Sequence, residues 1–266
     1  MENRELRQAA AEVWREYYYK FTAPLVFIGQ LTRGLPEQLS FRKRRSQEFF
    51  YYLDLCGSRS LGVVLLTSLL MGGVLALQSA LQMQKVGTEI FVVDLVGFAV
   101  LKEFGPLIVA IIATGRAGSA FAAEIGTMKV NEEISALETM GLDAVSYLVY
   151  PKLWAMIIAL PLLTVFGDIA GIIGGMFIGI PYLDIPAAAY WTRTFEVLDG
   201  ITFILGVLKS VIFAIAVTLV GCFCGFQASG DAQGVGRGAT NAVVSSIILV
   251  VICDAVMTVL YSFIGY

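Results

Sequence analysis

The stretch Leu61-Gly-Val-Val-Leu-Leu-Thr-Ser-Leu-Leu-Met-Gly-Gly-Val-Leu-Ala-Leu-Gln-Ser-Ala-Leu81 runs for 21 residues without a charge. As an α-helix it rises ~30 Å, the thickness of a bilayer's hydrocarbon core. Outward from it, four more apolar runs cover about 104–123, 153–180, 201–226 and 242–264. The second belongs to a longer helix starting near residue 88, bent where Lys102-Glu103 and Gly105-Pro106 interrupt it. The pattern predicts an all-α membrane protein with five transmembrane helices. Apolar residues make up 58% of the 266-residue chain and charged residues 15%, against roughly 45–50% and 25% in soluble domains. Such a chain cannot cover itself with polar surface in water.

Several kinds of chemistry are excluded. There is no histidine, which removes Ser-His-Asp and Cys-His catalysis and imidazole metal sites. Cys222 and Cys224 stand two apart and point to different sides of a helix, forming neither a zinc nor a disulfide pair. With Cys56 and Cys253 they read as small core- or lipid-facing residues. No lysine follows a glycine, so the chain has no Walker A loop and is not its own P-loop ATPase.

Residues 1–59 hold ten of the eighteen basic residues and read as an amphipathic, interfacial region preceding a five-span domain over 60–266. Leu6, Ala10, Val13, Tyr17 and Phe21 recur at helical steps among charges, as in an amphipathic helix. The apolar piece Pro24–Leu31 is too short to span a bilayer. The cluster Arg42-Lys43-Arg44-Arg45 and the aromatics Phe49, Phe50, Tyr51 and Tyr52 suit a membrane interface. A cytosolic helix packing on a protein partner is the alternative. With the N-terminus inside, fourteen basic residues lie inside and three outside, a positive-inside bias. An odd number of spans then leaves the C-terminus outside.

The inside connection 124–141 reads as a short amphipathic helix. Met128, Ile134, Leu137 and Met140 form its apolar face, and Gly141 stands where a helix stops. Glu124, Glu132, Glu133 and Glu138 outnumber Lys129, which favours docking on a protein over lying on lipid.

Charges inside apolar spans are costly unless paired or hydrated. Lys209, Asp254 and Asp168 lie ~12, ~15 and ~18 Å from the outer ends of their spans. Lys209 and Asp254 are expected to neighbour one another, with Asp168 as the next candidate partner. A purely structural ion pair is the plain alternative. Lys102 and Glu103 are expected at the outer edge of the second span, snorkelling to water. Gly167, Gly171, Gly175 and Gly179 share one face of the third span, a signal for close packing against another helix. Gly234-Val-Gly-Arg-Gly238, before the fifth span, resembles a nucleotide loop only superficially.

Leu101-Lys-Glu-Phe-Gly-Pro-Leu107, Gly115-Arg-Ala-Gly-Ser-Ala120, Ala123-Glu-Ile-Gly-Thr-Met128, Glu132-Glu-Ile-Ser-Ala-Leu-Glu138 and Lys209-Ser-Val-Ile-Phe-Ala214 closely resemble the MlaE-like permeases. These are the membrane subunits of Mla/Mce-type ABC lipid transporters. The likeness runs from about residue 40 to the end. It implies a homodimer of five-span subunits in a bacterial inner membrane, bound to two cytosolic ATPases and to a periplasmic ring of MCE proteins. It also implies phospholipid as cargo, and ATP and Mg on the partner ATPase with no cofactor in this subunit. No nucleic-acid partner is expected. Residues 124–141 resemble the family's coupling helix, with Glu124, Met128, Glu132, Glu133, Leu137 and Glu138 facing the ATPase. The resemblance places a lipid pocket among the first, second and fifth spans, with Leu77, Gln78, Lys102, Glu103, Lys209 and Asp254 as its residues. Arg237 also falls where the family keeps polar residues. Ala80 stands where relatives often carry an aromatic residue, so the resemblance does not fix the pocket's shape or its lipid. An ion- or proton-coupled secondary transporter using the buried charges is the rival reading. The absence of an evident inverted repeat weighs against it. A non-transporting scaffold for the outer ring is a lesser one.

Overall fold

The computed structural model describes residues 24, 26–31, 46–85, 87–88, 90–197 and 200–264. The expected amphipathic helix over 6–21 and the basic cluster 42–45 lie outside them. Seven helices follow a short helical piece at 26–31: α1 (Gln47–Met83), α2 (Phe91–Val130), α3 (Glu133–Thr139), α4 (Ala144–Leu183), α5 (Ala187–Val197), α6 (Gly200–Gln227) and α7 (Ala232–Ile264). There is no strand among the described residues, and α1, α2, α4, α6 and α7 are long and apolar enough to cross a membrane.

Several boundaries differ from the sequence reading. Helix α1 runs without a break through residue 59, carrying the aromatics Phe49–Tyr52, with a π-helical turn at Asp54–Ser58. The expected bend in α2 is a π-helical turn at Val100–Phe104 leading into Gly105-Pro106, and a second follows at Thr114–Gly118. Proline has no N–H to continue the α-ladder, so the turn there widens. The fifth span starts ten residues earlier than expected, and Gly234, Gly236 and Gly238 lie inside it. Asp231 Oδ1 accepts from the backbone N–H groups of Gln233 and Gly234 at 3.1 and 3.2 Å, a cap that opens the helix ahead of the glycines.

The 124–141 segment is not one helix. Helix α2 continues to Val130, and the chain turns at Glu132, whose φ of 61° is left-handed. The short α3 then ends where Gly141 (φ 77°) donates to the Glu138 carbonyl at 2.9 Å and Leu142 to that of Leu137 at 3.1 Å, a Schellman-type stop. Ile134 is buried, and Met128 and Leu137 pack against the protein's own core. Met140, Glu132, Glu133 and Glu138 are exposed. Apolar burial therefore seats α3 on the bundle, while its acids face outward.

Helices α1 and α4 make the closest span-to-span contact. A Cβ on Gly72 would overlap the Gly171 carbonyl, and one on Gly174 would overlap that of Leu69. The four glycines spaced by four divide this work differently. Gly167 and Gly171 meet Ser68, Val109 and Val100, whereas Gly175 and Gly179 leave room for the Tyr190 ring of α5. Tyr190 is buried, its hydroxyl donates to the Ile172 carbonyl at 3.3 Å, and burial pushes its pKa up to about 12. Helix α5 is held further by a bidentate pair, with Arg193 Nε and Nη2 2.8 and 2.7 Å from the two oxygens of Asp94. The helix thus closes the end of the bundle opposite α3.

Candidate functional site

Three polar centres sit within the bundle among the described residues. The first gathers around Lys209, which is fully buried on α6. Its Nζ donates to Glu103 Oε2 at 2.7 Å, Asp254 Oδ1 at 2.9 Å and Thr258 Oγ1 at 2.9 Å. An ammonium has three donors, and all three are used. Asp254 and Thr258 share a face of α7 one turn apart, and Thr258 also lies 3.1 Å from Glu103 Oε1. Glu103 comes from the π-turn of α2. Gly206, three residues before Lys209, lets α6 close on that turn, since a Cβ there would overlap the Leu101 carbonyl. The Tyr261 ring lies 5.8 Å from Nζ.

Glu103 does not snorkel at the outer edge as expected. The π-turn re-aims it into the bundle, where it joins Lys209 and Asp254. The cluster holds one ammonium and two carboxylates, tying α2, α6 and α7 together. Lys209 is sealed, whereas the side chains of Glu103 and Asp254 keep 30% and 17% exposure. Lys102 beside them is half-buried and pairs with no described residue. Leu77 and Gln78 are exposed on α1, but Ala80 is fully buried in an apolar cluster that includes Val92 and Val96 of α2. It packs within the subunit instead of facing outward with its neighbours.

Asp168 takes no part in this cluster. It is 4% exposed on α4, and its Oδ1 has no hydrogen-bond partner among the described residues. That oxygen occupies the place where a Cβ on Gly105 would stand. Gly105→Ala should therefore destabilise the fold by ~1–3 kcal/mol through overpacking. Adding Asp168→Ala should return part of that loss, the remainder reflecting the Val100 carbonyl 2.8 Å from the same position. Detergent-denaturation midpoints of the two single variants and the double measure the coupling, and simple additivity would contradict the contact.

The third centre lies toward the α3 end and was not anticipated. Tyr52 Oη donates to Glu124 Oε1 at 2.6 Å, and Lys152 Nζ donates to Tyr52 Oη at 2.8 Å, Glu124 Oε1 at 3.2 Å and the Leu148 carbonyl at 3.4 Å. Lys152 is fully buried, with Nζ 4.3 Å from the Tyr52 ring centroid. The triad joins α1, α2 and α4 beside the turn into α3. In the sequence Lys152 is one of the fourteen inside basic residues and Glu124 one of the docking acids, with nothing in their spacing that brings them together. The sole sequence signal was Lys152 between Pro151 and an apolar run. Among the described residues, no cluster of Cys, Asp or Glu has the makings of a metal site.

The chain is 40% identical over 205 residues to a probable ABC transporter permease protein of Rickettsia prowazekii, covering 77% of this chain and 79% of that one. It is 32% identical over 213 residues to the intermembrane phospholipid transport system permease protein MlaE of Haemophilus influenzae, again covering 77% and 79%. The chloroplastic protein TRIGALACTOSYLDIACYLGLYCEROL 1 of Arabidopsis thaliana is 30% identical over 244 residues, covering 91% and 68%. The profile of the family described as Permease MlaE matches residues 49–260, a stretch that takes in three spans whole, nearly all of the other two, and Glu103, Lys209, Asp254 and Thr258, and the chain belongs to this family of ABC transporter permeases.

Proposed function

We propose that this permease moves phospholipid between the inner membrane of a bacterium and a periplasmic MCE protein ring. It works as a homodimer driven by two cytosolic ATPase subunits that bind ATP and Mg. The observation that carries the reading is the Lys209 cluster. A sealed ammonium fixes three helices, while the two carboxylates it holds stay partly open. This suits a pocket for an amphiphile with a zwitterionic headgroup, whose ammonium meets the carboxylate edge. The name of the Haemophilus relative supports phospholipid as cargo. The fourteen-to-three basic asymmetry supports an N-terminus inside and a C-terminus outside. Exposed Glu133 and Glu138 on α3, with Glu132 at the turn that opens it, support docking on the ATPase there.

Two measurements test this. In proteoliposomes, labelled phospholipid should leave the donor membrane only with the ATPase and ATP present. Charge reversal at Glu132 and Glu133 should abolish co-purification of the ATPase while the permease still inserts. Unchanged complex yield would remove α3 as the docking element. Secondary transport is favoured by one observation, the unpartnered carboxyl of Asp168. Transport that follows a proton gradient and ignores the ATPase would replace the ABC reading.

A further inference from the structure

A cavity of about 750 Å³ lies toward the α3 end of the bundle, between α6, α7 and the helical piece at 26–31. Its size is that of a ligand pocket, ~300–1,000 Å³. The lining changes character along its length. Arg237, Gln227 and Asn241 stand at its outer end, all exposed. Ala216, Leu219, Phe223 and Leu249 make the deep end. From Arg237 to Leu249 the α7 axis rises ~18 Å, and from Gln227 back to Ala216 the α6 axis covers ~16 Å. The gradient therefore runs along the spans, parallel to a bilayer's acyl chains. Among the described residues no carboxylate lines the cavity, and Arg237 has no hydrogen bond or ion pair with any of them. Gln227 lies 18 residues along α6 from Lys209, ~27 Å, so the polar end of this cavity belongs to the opposite leaflet from the Lys209 cluster.

We propose that this cavity binds an anionic phospholipid of the leaflet on the α3 side, distinct from the cargo pocket at Lys209. The Arg237 guanidinium takes the phosphate, an acceptor its planar fork matches. Gln227 and Asn241 supply neutral donors beside it. One acyl chain lies against Phe223 and Leu219 and ends near Leu249. A free anion would use the Arg237 end alone and leave the apolar remainder of the groove unfilled. With Pro24, Phe27 and Ile28 forming one wall, the bound lipid also bridges the helical piece at 26–31 to the spans.

The test uses the full chain in phosphatidylcholine nanodiscs doped with phosphatidylglycerol that carries a diazirine near the acyl terminus. No ATPase or ATP is added, so the result does not depend on transport and fails or succeeds separately from the reading of the Lys209 pocket. Peptides containing Leu219, Phe223 and Leu249 should label several-fold above the exposed α4 peptide with Leu162 and Phe166. Unlabelled phosphatidylglycerol should compete and inorganic phosphate should not. Arg237→Gln should cut labelling roughly fivefold or more, and Arg237→Lys should fall between it and the parent, keeping the charge but losing the fork. Arg237 is exposed, so unchanged thermal unfolding is expected for both. Ser245→Phe, which fills the groove midway, should remove label from Leu249 while leaving Arg237 in place. Uniform labelling of all lipid-facing peptides, loss of label to inorganic phosphate, or full labelling of Arg237→Gln would each overturn the proposal. So would cross-links from the cavity residue Cys224 to residues 1–23 or to a second copy in place of lipid labelling.

Discussion

Alanine at Gly72 or Gly174 should cost the protein about 3 kcal/mol each and sharply reduce folded yield. Each new methyl would fall on a backbone carbonyl of the facing helix, Gly171 for the first and Leu69 for the second. A flexible side chain could swing aside, but a carbonyl locked in a helical ladder cannot, so α1 and α4 must separate. Their contact runs the length of both spans, and separating them loosens packing along the whole line. Gly62 and Gly236 are the controls, having nothing within 4 Å of the added atom. Alanine there should be neutral or up to ~1 kcal/mol stabilising, since alanine is the better helix former. Unfolding of all four variants in detergent, followed by size-exclusion chromatography, gives the comparison. Equal behaviour across the four would mean that the α1–α4 approach is not as close as the structure has it.

The second large effect is at Lys209. Replacing Lys209 with Met leaves Glu103 and Asp254 facing each other without their cation, and Asp254→Leu alone leaves the ammonium with Glu103 and Thr258. Breaking a buried pair from one side costs ~3–5 kcal/mol, while replacing all its members by groups of similar volume is often neutral. The expected order follows. Lys209→Met should lose most yield, and Lys209→Met/Asp254→Leu should recover part of it. Adding Glu103→Gln should recover more, because the two-residue replacement still leaves one carboxylate with only Thr258 as a neighbour. Folded yield and phospholipid transport should be measured on the same preparations. Transport that stays absent after yield returns assigns the charges to lipid or to conformational change. If the losses simply add, the three side chains do not act as a unit.

Much of this was legible in the chain because lipid imposes a strong filter. A span must be helical, apolar and about 20 residues long, so five spans could be counted from Leu61–Leu81 outward without any knowledge of packing. The cost of charge in hydrocarbon likewise singled out Lys209, Asp254 and Asp168, and depth alone brought Lys209 together with Asp254. Gly141 announced its turn because a left-handed residue at a helix end favours glycine.

What the linear chain did not disclose depends on rotation about helix axes and on which helices adjoin. Glu103 looked peripheral until the π-turn at Val100–Phe104 turned it inward, and such a turn leaves little trace beyond the proline that follows. Glu124 and Lys152 looked like two surface charges of one inside rim, yet Tyr52 from a third helix closes them into a buried triad. The glycine spacing of the third span named a packing face, but Gly72 and Gly174, outside that register, carry the tightest approach. Composition and periodicity determined the solvent, the number of spans and the costly charges, since each is a property of one helix in lipid. Only tertiary structure decided which charges meet, because helices of equal hydrophobicity gain nothing from lipid exclusion and are arranged by shape, small residues and hydrogen bonds.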